Sequence, residues 1–147
     1  MLRGMGKRPR PVEIIWQHGA EAFAFLIEEW DFDGPERTEG GIAYHRPDLH
    51  LSTEIWAWKR EAGMTTGVVQ VDTEAGTRHG ADLSCLYVQA GLGPAQHVPE
   101  QVGGGHTIAK RIDQHARAVR LLMPHVTGPG ATALFHRCGS GPSAAEP

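Results

Sequence analysis

Between Leu49 and Trp58 the chain alternates with a period of two. Leu49, Leu51, Thr53, Ile55 and Ala57 fall on one side, and His50, Ser52, Glu54, Trp56 and Trp58 on the other. Successive side chains of an extended backbone point to opposite faces, so this pattern specifies a strand with one face against a core. The polar run Lys59-Arg60-Glu61-Ala62-Gly63 predicts a turn. A second strand is expected from Thr65 to Thr73, where Val69 and Val71 alternate with Val68, Gln70 and Asp72. So short a connection implies antiparallel pairing, with Ile55 and Val69 expected to face the core. Two strands are marginal alone. Gly41 to His45, closed by Arg46-Pro47, supplies a third.

Helical spacing flanks this hairpin. Val12, Ile15, Trp16, Ala22, Phe23, Leu26, Ile27 and Trp30 recur every three or four residues, which predicts one amphipathic helix weakened at Gly19 and stopped by Phe32-Asp33-Gly34-Pro35. Glu74 to Gly80 reads as a polar loop. Asp82 is then placed to cap a short helix carrying Leu83, Leu86, Tyr87 and Ala90, ended by Gly91. After a long Gly- and Pro-containing connection, Ile108, Ile112, Ala116, Val119, Leu122 and Met123 mark a helix from Thr107 to Met123 closed by Pro124. The expected fold is α+β. A three- to four-stranded antiparallel sheet is packed on one face by an N-terminal and a C-terminal amphipathic helix, plus the short helix. Residues 1–10 form a flexible basic arm, 11–126 a single domain and 127–147 a Gly/Pro/Ala-rich flexible tail in which Leu134 and Phe135 could dock.

At 147 residues one domain is expected. No apolar run approaches the length of a membrane span, and the N-terminus has no apolar signal core. The two cysteines lie far apart, Cys138 in the presumed tail, which argues against a disulfide framework and for a reducing, cytoplasmic setting. The net charge is −3, yet Arg3, Lys7, Arg8 and Arg10 open the chain, so the body is more acidic than the total. An acidic body disfavours nucleic acid and favours basic partners.

No motif commits the chain to chemistry. Nine histidines raise the question of a metal, but HExxH and CxxC are absent, and His106 and His115 are nine apart rather than on one helical face. Gly103-Gly104-Gly105 lacks the Walker and dinucleotide patterns and fits a hinge better than a phosphate cradle. Neither a metal nor a cofactor is expected. Trp56 and Trp58 share one strand face with His50 and Glu54. They are either covered by another segment or exposed as a recognition surface.

The order helix, acidic turn, strands, Gly-Leu-Gly-Pro loop and closing helix over Val12 to Val126 resembles small bacterial α+β proteins of unknown function, some of them immunity-like. The likeness rests on layout and transfers no residue. It implies a cytoplasmic, non-catalytic binding domain, an immunity protein neutralising a basic toxin. The binding residues expected on the chain's own evidence are His50, Glu54, Trp56, Trp58, Asp31, Asp33 and Glu36. The alternatives are a small enzyme or ligand-binding domain using the cleft between the sheet and the Gly103–Gly105 loop, with His50, Glu54 and His106 as acid–base groups, or a subunit of a larger assembly.

Overall fold

A computed structural model describes residues 10–103, 105–139 and 143–144; the side chains of Trp58, His106 and residues 143–144 are outside that description, as is most of the basic arm. Pro11–Ala22 (α1) and Ala24–Trp30 (α2) precede an antiparallel meander of five long strands. These are Asp33–Arg37 (β1), Gly41–Arg46 (β2), Leu49–Trp58 (β3), Glu61–Asp72 (β4) and Thr77–Asp82 (β5). Leu83–Gln89 (α3), Gly105–Val126 (α4) and Ala131–Cys138 (α5) follow, and the two-residue β6, Ser143–Ala144, pairs with β5. The α+β class and the antiparallel sheet are as expected, with more strands than the three or four anticipated.

The alternation in β3 holds along the core. Leu49, Leu51 and Thr53 are buried, and their cross-strand partners Tyr44, Ile42, Val68 and Thr66 are buried with them. The register corrects β4. Met64, Thr66 and Val68 face the core, while Val69 lies opposite His50 on the other side. The predicted five-residue turn shrinks to Lys59-Arg60, with Lys59 at φ 57, because Glu61 to Gly63 already pair with Trp58 to Trp56. Gly63 serves a different purpose from a turn: a β-carbon there would overlap the Trp56 indole, which lies across the strand.

The single N-terminal helix predicted from Val12 to Trp30 is two. The backbone leaves helical geometry at Phe23 (φ −98, ψ 10), and this bend buries Phe23, Phe25 and Leu26 together. The stop at Pro35 becomes an edge strand, β1, exposed throughout. Proline suits an edge because its missing N–H takes no ladder bond from a neighbour. The polar loop expected before Gly80 is largely β5, with Ala81 packed against the core and His79 buried on the same side, while Arg78, Gly80 and Asp82 face the other way. α4 runs past Pro124 to Val126.

The presumed tail also differs. Ala131–Cys138 folds as a helix with Leu134 and Phe135 buried, and Cys138 is disulfide-bonded to Cys85 of α3 across 53 residues, with their Cα atoms 5.7 Å apart. Leu134 and Phe135 dock, as anticipated, but as core rather than as an attachment point. The disulfide also removes the argument for a reducing compartment that the cysteine count had supplied. Among the described residues, no helix is long and apolar enough to cross a membrane.

All the helices lie on one face of the sheet. α1 reaches β2 through Gly19 and Ile42, α4 reaches β4 through His115 and Thr66, and α5 reaches β4 and β5 through Thr132–Gln70 and His136–His79. Inside this layer the Tyr44 hydroxyl is buried without a hydrogen-bond partner, and burial pushes its pKa up to about 12. Replacing Tyr44 with Phe removes an unpaired polar group at nearly constant shape. It is therefore expected to raise stability by about 1 kcal/mol in urea unfolding. The neutral phenol is the buried form, so the stability difference between the two proteins should widen as pH rises beyond 10. A destabilised Tyr44→Phe protein would show that the hydroxyl is bonded after all.

Candidate functional site

With the helices on one face, the other face of the sheet is uncovered by them, and the register sets its rows. Asp33, His45, His50, Val69 and Gly80 make one row; Glu36, Ala43, Ser52, Gly67 and Asp82 the next; Gly41, Glu54 and Thr65 the next; Trp56 and Gly63 the last. The second row is paved with small residues, and a β-carbon on Gly67 would meet nothing within 4 Å. At its β4–β5 end a hollow of about 340 Å³ is lined by Gly67, Val69, Gly80 and Asp82, with Cys138 and Gly139 beside them. The face is thus a shallow trough between a histidine-bearing rim and a tryptophan-bearing rim.

On the histidine rim the rings of His45 and His50 meet edge to face at 4.8 Å. His45 Nε2 bonds the Glu36 carboxylate at 2.9 Å across the β1–β2 pair. Burial, then the neighbouring His45 and the Arg78 guanidinium, lowers the pKa of His50 below its ordinary value. A neutral ring is what lets His50 Nδ1 accept the long 3.4 Å contact from Arg78. On the other rim Trp56 is 40% exposed, and its Nε1–H donates to Thr65 Oγ1 at 3.0 Å. Glu54, exposed beside it, accepts the Thr38 hydroxyl at 3.1 Å. The indole is fixed at its polar end and by Gly63 beneath it, while its remaining face is open to solvent.

Of the expected binding residues, His50, Glu54, Trp56, Asp33 and Glu36 therefore share one face. Trp58 joins β3 opposite Glu61, its side chain outside the described residues. Asp31 does not belong to the strand rows. It ends α2 in a left-handed conformation (φ 60, ψ 31), a backbone role that aspartate tolerates. The acid–base trio does not assemble, since His50 and Glu54 are four residues apart on one strand, roughly 13 Å. The His106 side chain lies outside the described residues. No serine hydroxyl bonds either rim histidine among the described residues, and both cysteines are spent in the disulfide. Arg78, Val69, Gly67 and the Ala43–Ser52 pair were missed from sequence because each joins the face only through cross-strand register.

The charge of the face is lopsided. Asp33, Glu36, Glu54, Glu61 and Asp82 project on this side by register, against Arg78 as the arginine of its strands. Such an arrangement can bind and steer a basic surface; it does not assemble a nucleophile with its base. Comparison with known proteins leaves this geometry to speak for itself: no family model, no curated protein and no solved structure matches the chain.

Proposed function

We propose that this chain is a non-catalytic protein-binding domain that receives a basic partner on the open face of its sheet. The observation that carries the reading is the solvent-exposed, pre-positioned Trp56 beside a trough of small residues ringed by carboxylates. An indole already held by Thr65 and Gly63 loses little side-chain entropy on binding, which suits an anchor. The carboxylates around it attract cations and raise the rate of encounter more than they deepen affinity. Likeness of layout to immunity proteins names one class of partner, a basic toxin.

The test uses a photo-crosslinker placed at Ser52 in the cell of origin, with a second at exposed Leu121 on α4 as the control face. A specific partner should crosslink from Ser52 only. Gly67→Arg fills open space without touching the core, and should abolish that crosslink. Trp56→Ala should weaken the complex at least about tenfold, as loss of a buried aromatic anchor does. A partner retained at full yield by both variants removes the surface and the proposal with it.

A further inference from the structure

A second concavity lies at the end of the strands, where the β2–β3 turn, the β4–β5 turn and the α4–α5 junction meet. It measures about 390 Å³ and is lined by Asp48, Gln70, Asp72, Glu74, His79 and Thr132, with Val71 and Val126 among its few apolar contributors. That volume falls within the range of small-molecule sites. The wall is stitched in place: Asp48 O accepts the Val71 N–H at 2.8 Å, Asp72 Oδ1 accepts the Ala75 N–H at 3.0 Å, and Gln70 Nε2 donates to Thr132 Oγ1 at 3.3 Å.

Charge sets the sign of what could enter. Three carboxylates line the cavity, and Asp48 is balanced by Arg46 at 2.6 Å, which leaves Asp72 and Glu74. The C-terminal end of the 22-residue α4, reaching the wall at Val126, adds partial negative charge. The opening turn of α5 adds the opposite sign at Thr132, but an eight-residue helix does not outweigh two carboxylates.

An independent feature points to a ligand. His79 is 9% exposed, forms part of the cavity wall and stacks on His136 at 4.7 Å, yet its Nδ1 has no hydrogen-bond partner. A buried ring nitrogen left unpaired is costly, and a native protein pairs such groups when a donor is at hand. A ligand N–H is a donor of that kind. No group of three His, Cys, Asp or Glu among the described residues is disposed to hold a metal ion. The remaining chemistry that offers both positive charge and N–H donors is organic.

We propose that this cavity binds an ammonium or guanidinium group, with Asp72 and Glu74 supplying the countercharge and His79 Nδ1 accepting one N–H bond. The group can come from a free small molecule or from the side chain of a bound protein. The site is distinct from the open-face rows, and it stands whether or not that face binds a partner.

The experiment titrates the full chain, uniformly ¹⁵N-labelled, with agmatine and separately with a terminally blocked Gly-Arg-Gly peptide, reading the His79 ring nitrogens by NMR. Saturable movement of those resonances, weakening as salt is raised, is the expected result. Glu74→Gln and Asp72→Asn, which keeps its oxygen for Ala75, should each weaken binding at least about fivefold. Agmatine as the tighter probe identifies a free small molecule; the peptide as the tighter probe identifies a protein side chain. The proposal is overturned if neither probe moves the His79 signals, or if both variants bind as the unaltered chain does.

Discussion

Replacing Cys85 and Cys138 together with serine is expected to lower the unfolding free energy by about 4 kcal/mol. The bond closes a loop of 53 residues, and the chain entropy it withholds from the unfolded state at that length is roughly this large. For a chain of 147 residues, total stability is on the order of 7–15 kcal/mol. The loss should then appear as a fall in Tm of roughly 8–16 °C. The same drop should follow from adding reductant to the unaltered protein, and reductant should leave the double-serine protein unchanged. Equal melting temperatures with and without reductant would mean that the bond does not form in solution. The local consequence is also specific. α5 holds to the domain through Leu134, Phe135 and this bond, so its amides should be the first to exchange faster once the bond is cut.

The second large effect belongs to His115. This fully buried residue of α4 ties three elements together. Thr53 Oγ1 and Thr66 Oγ1 lie 2.7 Å apart, Thr66 Oγ1 lies 2.8 Å from His115 Nδ1, and His115 Nε2 lies 2.7 Å from the Pro99 carbonyl. A neutral ring with its proton on Nε2 satisfies every bond, donating to Pro99 and accepting from Thr66. His115→Ala would strand the Thr66 hydroxyl and the Pro99 carbonyl and leave a cavity, a combination expected to cost about 3–5 kcal/mol.

The same ring makes stability depend on pH, and the sign follows from its environment. Burial, opposed by the Pro99 bond and reinforced by Arg111, lowers the pKa of His115 below its ordinary value. Below pH 6.5 the unfolded chain takes up a proton that the folded chain resists, so folding weakens on acidification and the stabilisation is complete above that pH. Between pH 7.5 and 5.5 the loss from this one residue is at most about 1.4 kcal/mol. His50, also lowered but half-exposed, adds a smaller loss of the same sign. Glu100 is shifted the other way, upward by burial and then by Asp82, and acts only at more acidic pH. Urea midpoints across this window should fall with acid in the unaltered protein and fall less in His115→Gln. Identical slopes in the two would place the pH dependence elsewhere.

Where sequence reading succeeded, the deciding information was local. Leu49, Leu51 and Thr53 announce a buried strand face because a two-residue period survives any choice of partner. Ile108, Ile112, Val119 and Leu122 announce a helix face in the same way, and all four are buried. Gly91 was expected to end α3 in a left-handed conformation, and it lies at φ 75 just beyond that helix. Errors arose where polarity and small size concealed order. Thr77 to Asp82 carry few apolar side chains, yet they form β5 because the exposed edge of β4 offers a ladder of unpaired N–H and C=O groups. The connection from Leu92 to Gly103 looked loose, but Met64 N–H donates to Glu100 O at 2.7 Å and Val102 N–H to Ala62 O at 3.2 Å, so it continues the edge that β5 leaves unpaired.

The candidate surface divides along the same line. The strand period alone places His50, Glu54 and Trp56 on one side of β3, since alternation is a property of the extended backbone. It does not say which side the helices would cover, whether Trp56 would meet solvent, or that Gly67 and Gly80 would lie in neighbouring strands. Those outcomes depend on pairings between residues distant along the chain, as does the meeting of Cys85 with Cys138. Periodicity reports what a residue's own backbone does with its side chain. Only closure of the sheet and docking of the helices decide which distant groups become its neighbours.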